Sequence, residues 1–437
     1  MTAVADHRVL DPVETDEQVV AERGPGTVRR ESAWLFAGFA LTAAIGFGFW
    51  IVAARTVPAA TLGTDAALIS LITATAAVAS SGLGSALVVM LGRETSARLL
   101  IRAYLAAVVV AGVLGAGAGV LAAVFVVPDA NAAIVVPVVA FCCVGWAFIT
   151  LQGQALVGYE RASYTVFING PVNVAKLLII SLVAGFSLAV PHAVLIATMA
   201  PALISVVIVA AFVLPRAARS HAQSRATASV GAVEGGHVSF TAYVLRDTAA
   251  IGSTLGVGLS LAFLVTVLVG PVAGALFSIA YQFSIVLDLV AVSVALALAR
   301  GASVHSALRS EALGVWRKVV ILVAIAAVGT TIAAPVVFMI MGPEYDEATG
   351  ALVVALLALA CVARASFELW AAVLRARREV GRVALWSVTG AVTTLAAVFL
   401  LTPLWGVVGT ASAVLVIALG LGAVGLVGLV REARTVA

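Results

Sequence analysis

Charge is scarce in this chain. Its 25 Lys and Arg and 21 Asp and Glu make up 11% of 437 residues, against about 25% in ordinary soluble domains, so a soluble globule is excluded. Cysteine is nearly absent: Cys142, Cys143 and Cys361 all lie inside apolar runs, which excludes a disulfide framework or a thiolate metal site and leaves packing roles. The sequence has no GxxxxGK[ST] phosphate loop, no HExxH and no Cys/His cluster, so it is not itself an ATPase, and a metal or other cofactor is not expected. No outer connection exceeds about a dozen residues, too little to present catalytic groups in water. The chain is not read as an enzyme. Its positive charges are spread over many short loops rather than gathered in a basic domain, which argues against nucleic acid as a partner.

What it has instead is hydrocarbon: 63% apolar residues and a mean hydropathy of +1.16. A crossing takes about 20 apolar residues, and the pattern predicts twelve helices, at about 34–54, 65–90, 101–126, 132–157, 164–188, 192–214, 243–269, 272–299, 316–341, 350–374, 381–402 and 407–430. With the N-terminus inside, the inner connections and tails hold 21 of the 25 basic residues and the outer ones hold one, Arg55. That split follows the positive-inside rule, with both termini cytoplasmic. Residues 1–33 carry seven acids and four arginines without apolar periodicity and read as a disordered tail; 431–437 form a short cytoplasmic tail.

The longest connection, 215–242, divides the chain into six-helix lobes at 34–214 and 243–430. VPAATLG around Pro58 resembles GPVAGAL around Pro271, and QALVGYER at 154–161 sits where AVLRARRE sits at 372–379. An even number of helices per repeat keeps both copies in the same orientation. The expected fold is an all-α polytopic membrane protein, with twelve helices in two lobes around a central cavity.

An ionisable group at mid-bilayer costs about 2.5–3.5 kcal/mol on insertion scales, so each one in a span is singled out. Lys176 lies about 18 Å into its helix, near the midplane. Asn169 and Asn173 share its stripe at i, i+4, i+7, interrupted by Gly170 and Pro171; a cavity lining and a kinked helix with bonded amides both stay open. Arg364 sits in LLALACVARASFELW with Glu368 at i+4, either self-paired or free for bidentate phosphate recognition. Asp288 is either a proton or cation site, with Glu368 a second ion-coupling candidate, or a salt-bridge partner of Lys176 or Arg364. Arg246 and Asp247 read as inner-edge anchors, and Trp34, Trp316 and Trp405 as interfacial ones.

These residues resemble the polysaccharide (lipid-linked oligosaccharide) flippase branch of the multidrug/oligosaccharidyl-lipid/polysaccharide exporter (MOP) superfamily. The resemblance runs over about 30–432. It is carried by AARTVPAATLGTDAAL at 53–68, LQGQALVGYERASY at 151–164, MGPEYDEATGALVVALLALA at 341–360, VLRARREVGRVALW at 373–386 and LTPLWGVVGTASAVL at 401–415. It implies alternating access in a bacterial cytoplasmic membrane, with a polyprenyl-diphosphate-linked glycan as substrate. Lys176, Arg364, Asn169, Asn173 and Arg55 would then bind it, with membrane lipids, glycosyltransferases and a polymerase of the same pathway as partners. An ion-coupled multidrug-type antiporter and a nontransporting scaffold of a glycan-assembly complex are the alternatives.

Overall fold

The computed structural model describes residues 45–91, 97–159, 161, 163–186, 188, 190–227, 240–301, 307–376 and 379–434. The tail at 1–33 and residues 228–239 of the connection between the halves lie outside them. The described residues are almost entirely helical, in chain order α1 (Ile45–Thr56), α2 (Ala59–Leu91), α3 (Ala97–Phe125), α4 (Ala132–Gly158), α5 (Ser163–Gly185) and α6 (Ala193–Ile208). There follow α7 (Leu214–Thr227), α8 (Phe240–Asp247), α9 (Ser253–Leu268), α10 (Pro271–Gly301), α11 (Ala307–Met341), α12 (Glu347–Ala376) and α13 (Val380–Arg434). Wide π turns, Val209–Val213 and Thr248–Gly252, join α6 to α7 and α8 to α9 without a break.

Ten helical stretches are long and apolar enough to cross a membrane, and α1 is a shorter apolar helix. The last stretch, α13, is two arms. Gly406 adopts φ 59°, ψ −137°, a conformation only glycine enters without strain, and the chain reverses there: a Cβ on Gly390 would lie 2.7 Å from Leu421. Buried Thr402 and Thr410 close the bend through their hydroxyls, 2.8 Å apart.

Among the described helices three limits differ from the sequence reading by six residues or more, one of them the helix expected at 316, which begins at Ala307. The helix expected at 65 begins at Ala59, because Pro58 supplies the fixed φ and missing N–H that suit a helix start. The helix expected to end at 214 continues to Thr227, since its alanines and arginines are good helix formers.

The packing turns on α2, which is buried along most of its length and touches α4 in its own half and α9 and α10 in the other. The two similar stretches around Pro58 and Pro271 meet here: a Cβ on Gly63 would collide with the Pro271 carbonyl. Gly63→Ala is therefore expected to cost about 1–3 kcal/mol through overpacking, read as a lower midpoint of thermal unfolding in detergent. Around this core, Leu105, Val113, Phe167, Ile325, Ile332 and Leu385 point outward, an apolar belt suited to lipid. The three cysteines are buried and free, as expected of packing residues.

Candidate functional site

The second half encloses a cavity of about 70 Å³ between α9, α10, α12 and α13. Its wall is mostly apolar, with Thr254, Tyr281, Ser284, Ser387 and Thr394 interspersed. Two charges enter it. Asp288 from α10 and Arg364 from α12 form an ion pair, both half-buried. The guanidinium thus turns to the neighbouring helix rather than to Glu368 one turn on, which has no ion pair or hydrogen bond among the described residues.

Lys176 is elsewhere. It projects from α5, half-buried, with its Nζ 4.4 Å from the centre of the Phe49 ring on α1. Among the described residues no carboxylate pairs with it, so the aromatic face is its main electrostatic partner. Phe47, on the same short helix, packs edge-on to Phe283 of α10 at 4.9 Å. Neither Lys176 nor any residue of α1 lines the cavity. Lys176 and Arg364 are not in contact.

The two amides divide. Asn173 Nδ2 donates to the Asn169 carbonyl at 2.9 Å, and its Oδ1 faces Gly46 of α1. Asn169 is exposed. Pro171 lies between them inside α5 and withholds an N–H from the ladder. Arg246 is exposed and Asp247 buried, the latter near Ser85 on α2 and Arg375, with its Oδ2 buried and unbonded. Trp316 donates from Nε1 to the Ser366 hydroxyl at 2.9 Å. Trp405 is exposed, and Trp34 lies outside the described residues.

At the end opposite Asp247, the halves are tied by backbone contacts. Glu344 accepts from the Ala59 N–H at 2.7 Å, capping α2 with a carboxylate where the helix dipole favours one. Arg55 Nε donates to the Ile340 carbonyl. Beside them Asp346 caps α12 through the Thr349 N–H and hydroxyl, which hold its carboxyl below the usual range. Glu344→Ala is expected to loosen this tie, read as faster thiol labelling of an Ala59→Cys probe than in the Glu344 parent.

One buried acid escaped the sequence reading. Asp65, fully buried on α2, accepts from His192 Nδ1 at 2.7 Å and from the Val194 and Leu195 N–H groups at 3.0 and 3.3 Å. The signal that would have found it is the Pro58 helix start, which places Asp65 inside the span rather than at its edge.

No protein-family model matches the sequence, and no curated protein matches it. Solved structures do. The lipid II flippase MurJ in an inward closed conformation superposes with a TM-score of 0.67 at 10% identity, covering 91% of this chain and 87% of that one. An inward-facing multidrug resistance MATE family transporter of the MOP superfamily gives 0.60 at 14%, covering 90% and 94%. The fold is that of the MOP-superfamily transporters. The MATE multidrug transporter DinF-BH gives 0.63 at 15% identity, covering 95% and 97%. Within this MOP fold, the described residues hold no cluster of His, Cys, Asp and Glu able to take a metal ion.

Proposed function

We propose that the chain is a transporter that carries a polyprenyl-diphosphate-linked oligosaccharide or polysaccharide precursor from the inner to the outer face of a bacterial cytoplasmic membrane. The observation that carries this reading is Lys176, a positive charge in an apolar span faced by an aromatic ring and no described carboxylate. An ammonium so placed is costly, and an anionic head group would offset it while the lipid tail stays in the bilayer. The MurJ likeness supports a lipid-linked cargo. In this reading the chain crosses twelve times: α1, the two arms of α13, and nine stretches between. The two six-helix lobes rock about α2, α9 and α10, both termini are cytoplasmic, and Arg55 and Glu344 close the outer side. Asn173 and Lys176 meet the head group, with Arg364 second once freed from Asp288. Glycosyltransferases and a polymerase would work beside it.

A second reading, an ion-coupled small-molecule antiporter, draws on Asp288, which lines the cavity, and on Glu368 one helical turn beyond Arg364. One assay separates the two. Liposomes containing the full chain should move a fluorescent polyprenyl-diphosphate saccharide across the bilayer. Ion-gradient-dependent efflux of cationic dyes, with no movement of the saccharide, would replace the first reading by the second.

A further inference from the structure

We propose that Asp65 and His192 form a proton-binding site at the Glu344 end of the molecule, and that its occupancy sets how tightly α6 is clamped to α2. The placement of this end outside rests on the orientation proposed above; the clamp does not.

Asp65 has no exposed surface, whereas 42% of the His192 side chain is exposed, so the pair joins a dry acceptor to a group that can exchange protons with water. The carboxylate makes three contacts, all to one helix start: the imidazole and the first free N–H groups of α6. His192 is the single non-glycine residue with positive φ among the described residues, at φ 53°, the left-handed region that histidine enters at a cost. The contact with Asp65 offsets that cost, so the backbone turn and the side-chain pair form and break together.

The helices packed against α6 are α2, α4 and α5. Their titratable side chains are Asp65, Cys142 and Cys143, Tyr164 and Lys176, and α6 itself carries none. Asp65 alone contacts the imidazole. Its hydrogen bond raises the imidazole pKa above the ordinary value, against a smaller opposing effect of burial. The sign follows from linkage. A raised folded-state pKa means the clamp is complete below the ordinary imidazole pKa and weakens as pH rises through the raised one. Acid on this side holds α6 to α2, and alkali releases it.

The test uses the full chain in lipid nanodiscs with ¹³C-labelled histidine. The signal lost in His192→Gln identifies His192, and amide hydrogen exchange at Val194 and Leu195 is followed alongside, corrected for the intrinsic pH dependence of exchange. The His192 signal should titrate above the free-imidazole range and fall toward it in Asp65→Asn. Protection of the two amides should drop through the same midpoint and become independent of pH in His192→Gln, which keeps the Asp65 cap and so tests the clamp even if Asp65→Asn does not fold. An ordinary His192 titration, or unchanged pH dependence of protection in His192→Gln, would overturn the proposal. Neither readout involves transport, so the substrate assignment stands or falls separately.

Discussion

Replacing Lys176 with methionine is expected to slow movement of a polyprenyl-diphosphate saccharide strongly while making the protein harder to unfold. Methionine keeps the length and apolar stem of lysine and removes only the charge. On the transport side, a hydrogen bond to a charged group contributes about 1.5–3 kcal/mol, so losing the ammonium from a diphosphate contact should slow flipping by about tenfold to a hundredfold. On the stability side, the charge in the span costs about 2.5–3.5 kcal/mol, and the Phe49 face returns about 0.5–2. The variant should therefore gain on the order of 1 kcal/mol, measured as a higher unfolding midpoint in the same detergent. Lys176→Arg, which keeps the charge, should retain part of the activity. Wild-type flipping by the methionine variant would remove Lys176 from the substrate path, whatever its stability.

The second large effect concerns Asp288 and Arg364. Asp288→Asn should destabilise the protein by about 3–5 kcal/mol, because it leaves a guanidinium in a mostly apolar cavity without its counter-charge. The double variant Asp288→Leu with Arg364→Met should recover most of that loss, since replacing a buried pair by apolar residues of similar volume is often neutral or stabilising. Detergent unfolding curves for wild type, Asp288→Leu, Arg364→Met and the double variant close the cycle. If the double variant is as unstable as Asp288→Asn, the pair is not the main electrostatic partner of either residue. The flipping assay on the stable double variant then shows whether the pair also serves transport.

Much of the architecture was legible because the bilayer imposes it. The helix expected at 132–157 is Ala132–Gly158, since Asn131 caps it and apolar residues fill it. The break expected between 402 and 407 falls at Gly406. The site was less legible, because its geometry depends on which helices touch. The sequence held Asp288, Arg364 and Glu368 as possible partners, and only the packing of α10 on α12 decides for Asp288 over the i+4 residue. It also gave Lys176 and Arg364 one substrate, whereas the ammonium faces Phe49 of α1 and the guanidinium pairs with Asp288 of α10 at the cavity. Asp65 was passed over because a helix taken to begin at 65 puts that residue in water, and a start at Ala59 puts it in the interior.

The two π turns carry a consequence for how the helix ends beyond them could move. Each holds one residue more than a regular helix requires. Were such a bulge to migrate, every residue it passed would swing through roughly 100° about the axis, with no helix unwinding. The segments beyond them, 214–227 and 240–247, could swivel in this way as rigid rods. Asp247 would then leave Ser85, and Arg246 would take up a new bearing. Deleting one residue within 248–252 would freeze this swivel and leave Asp247 on its present face.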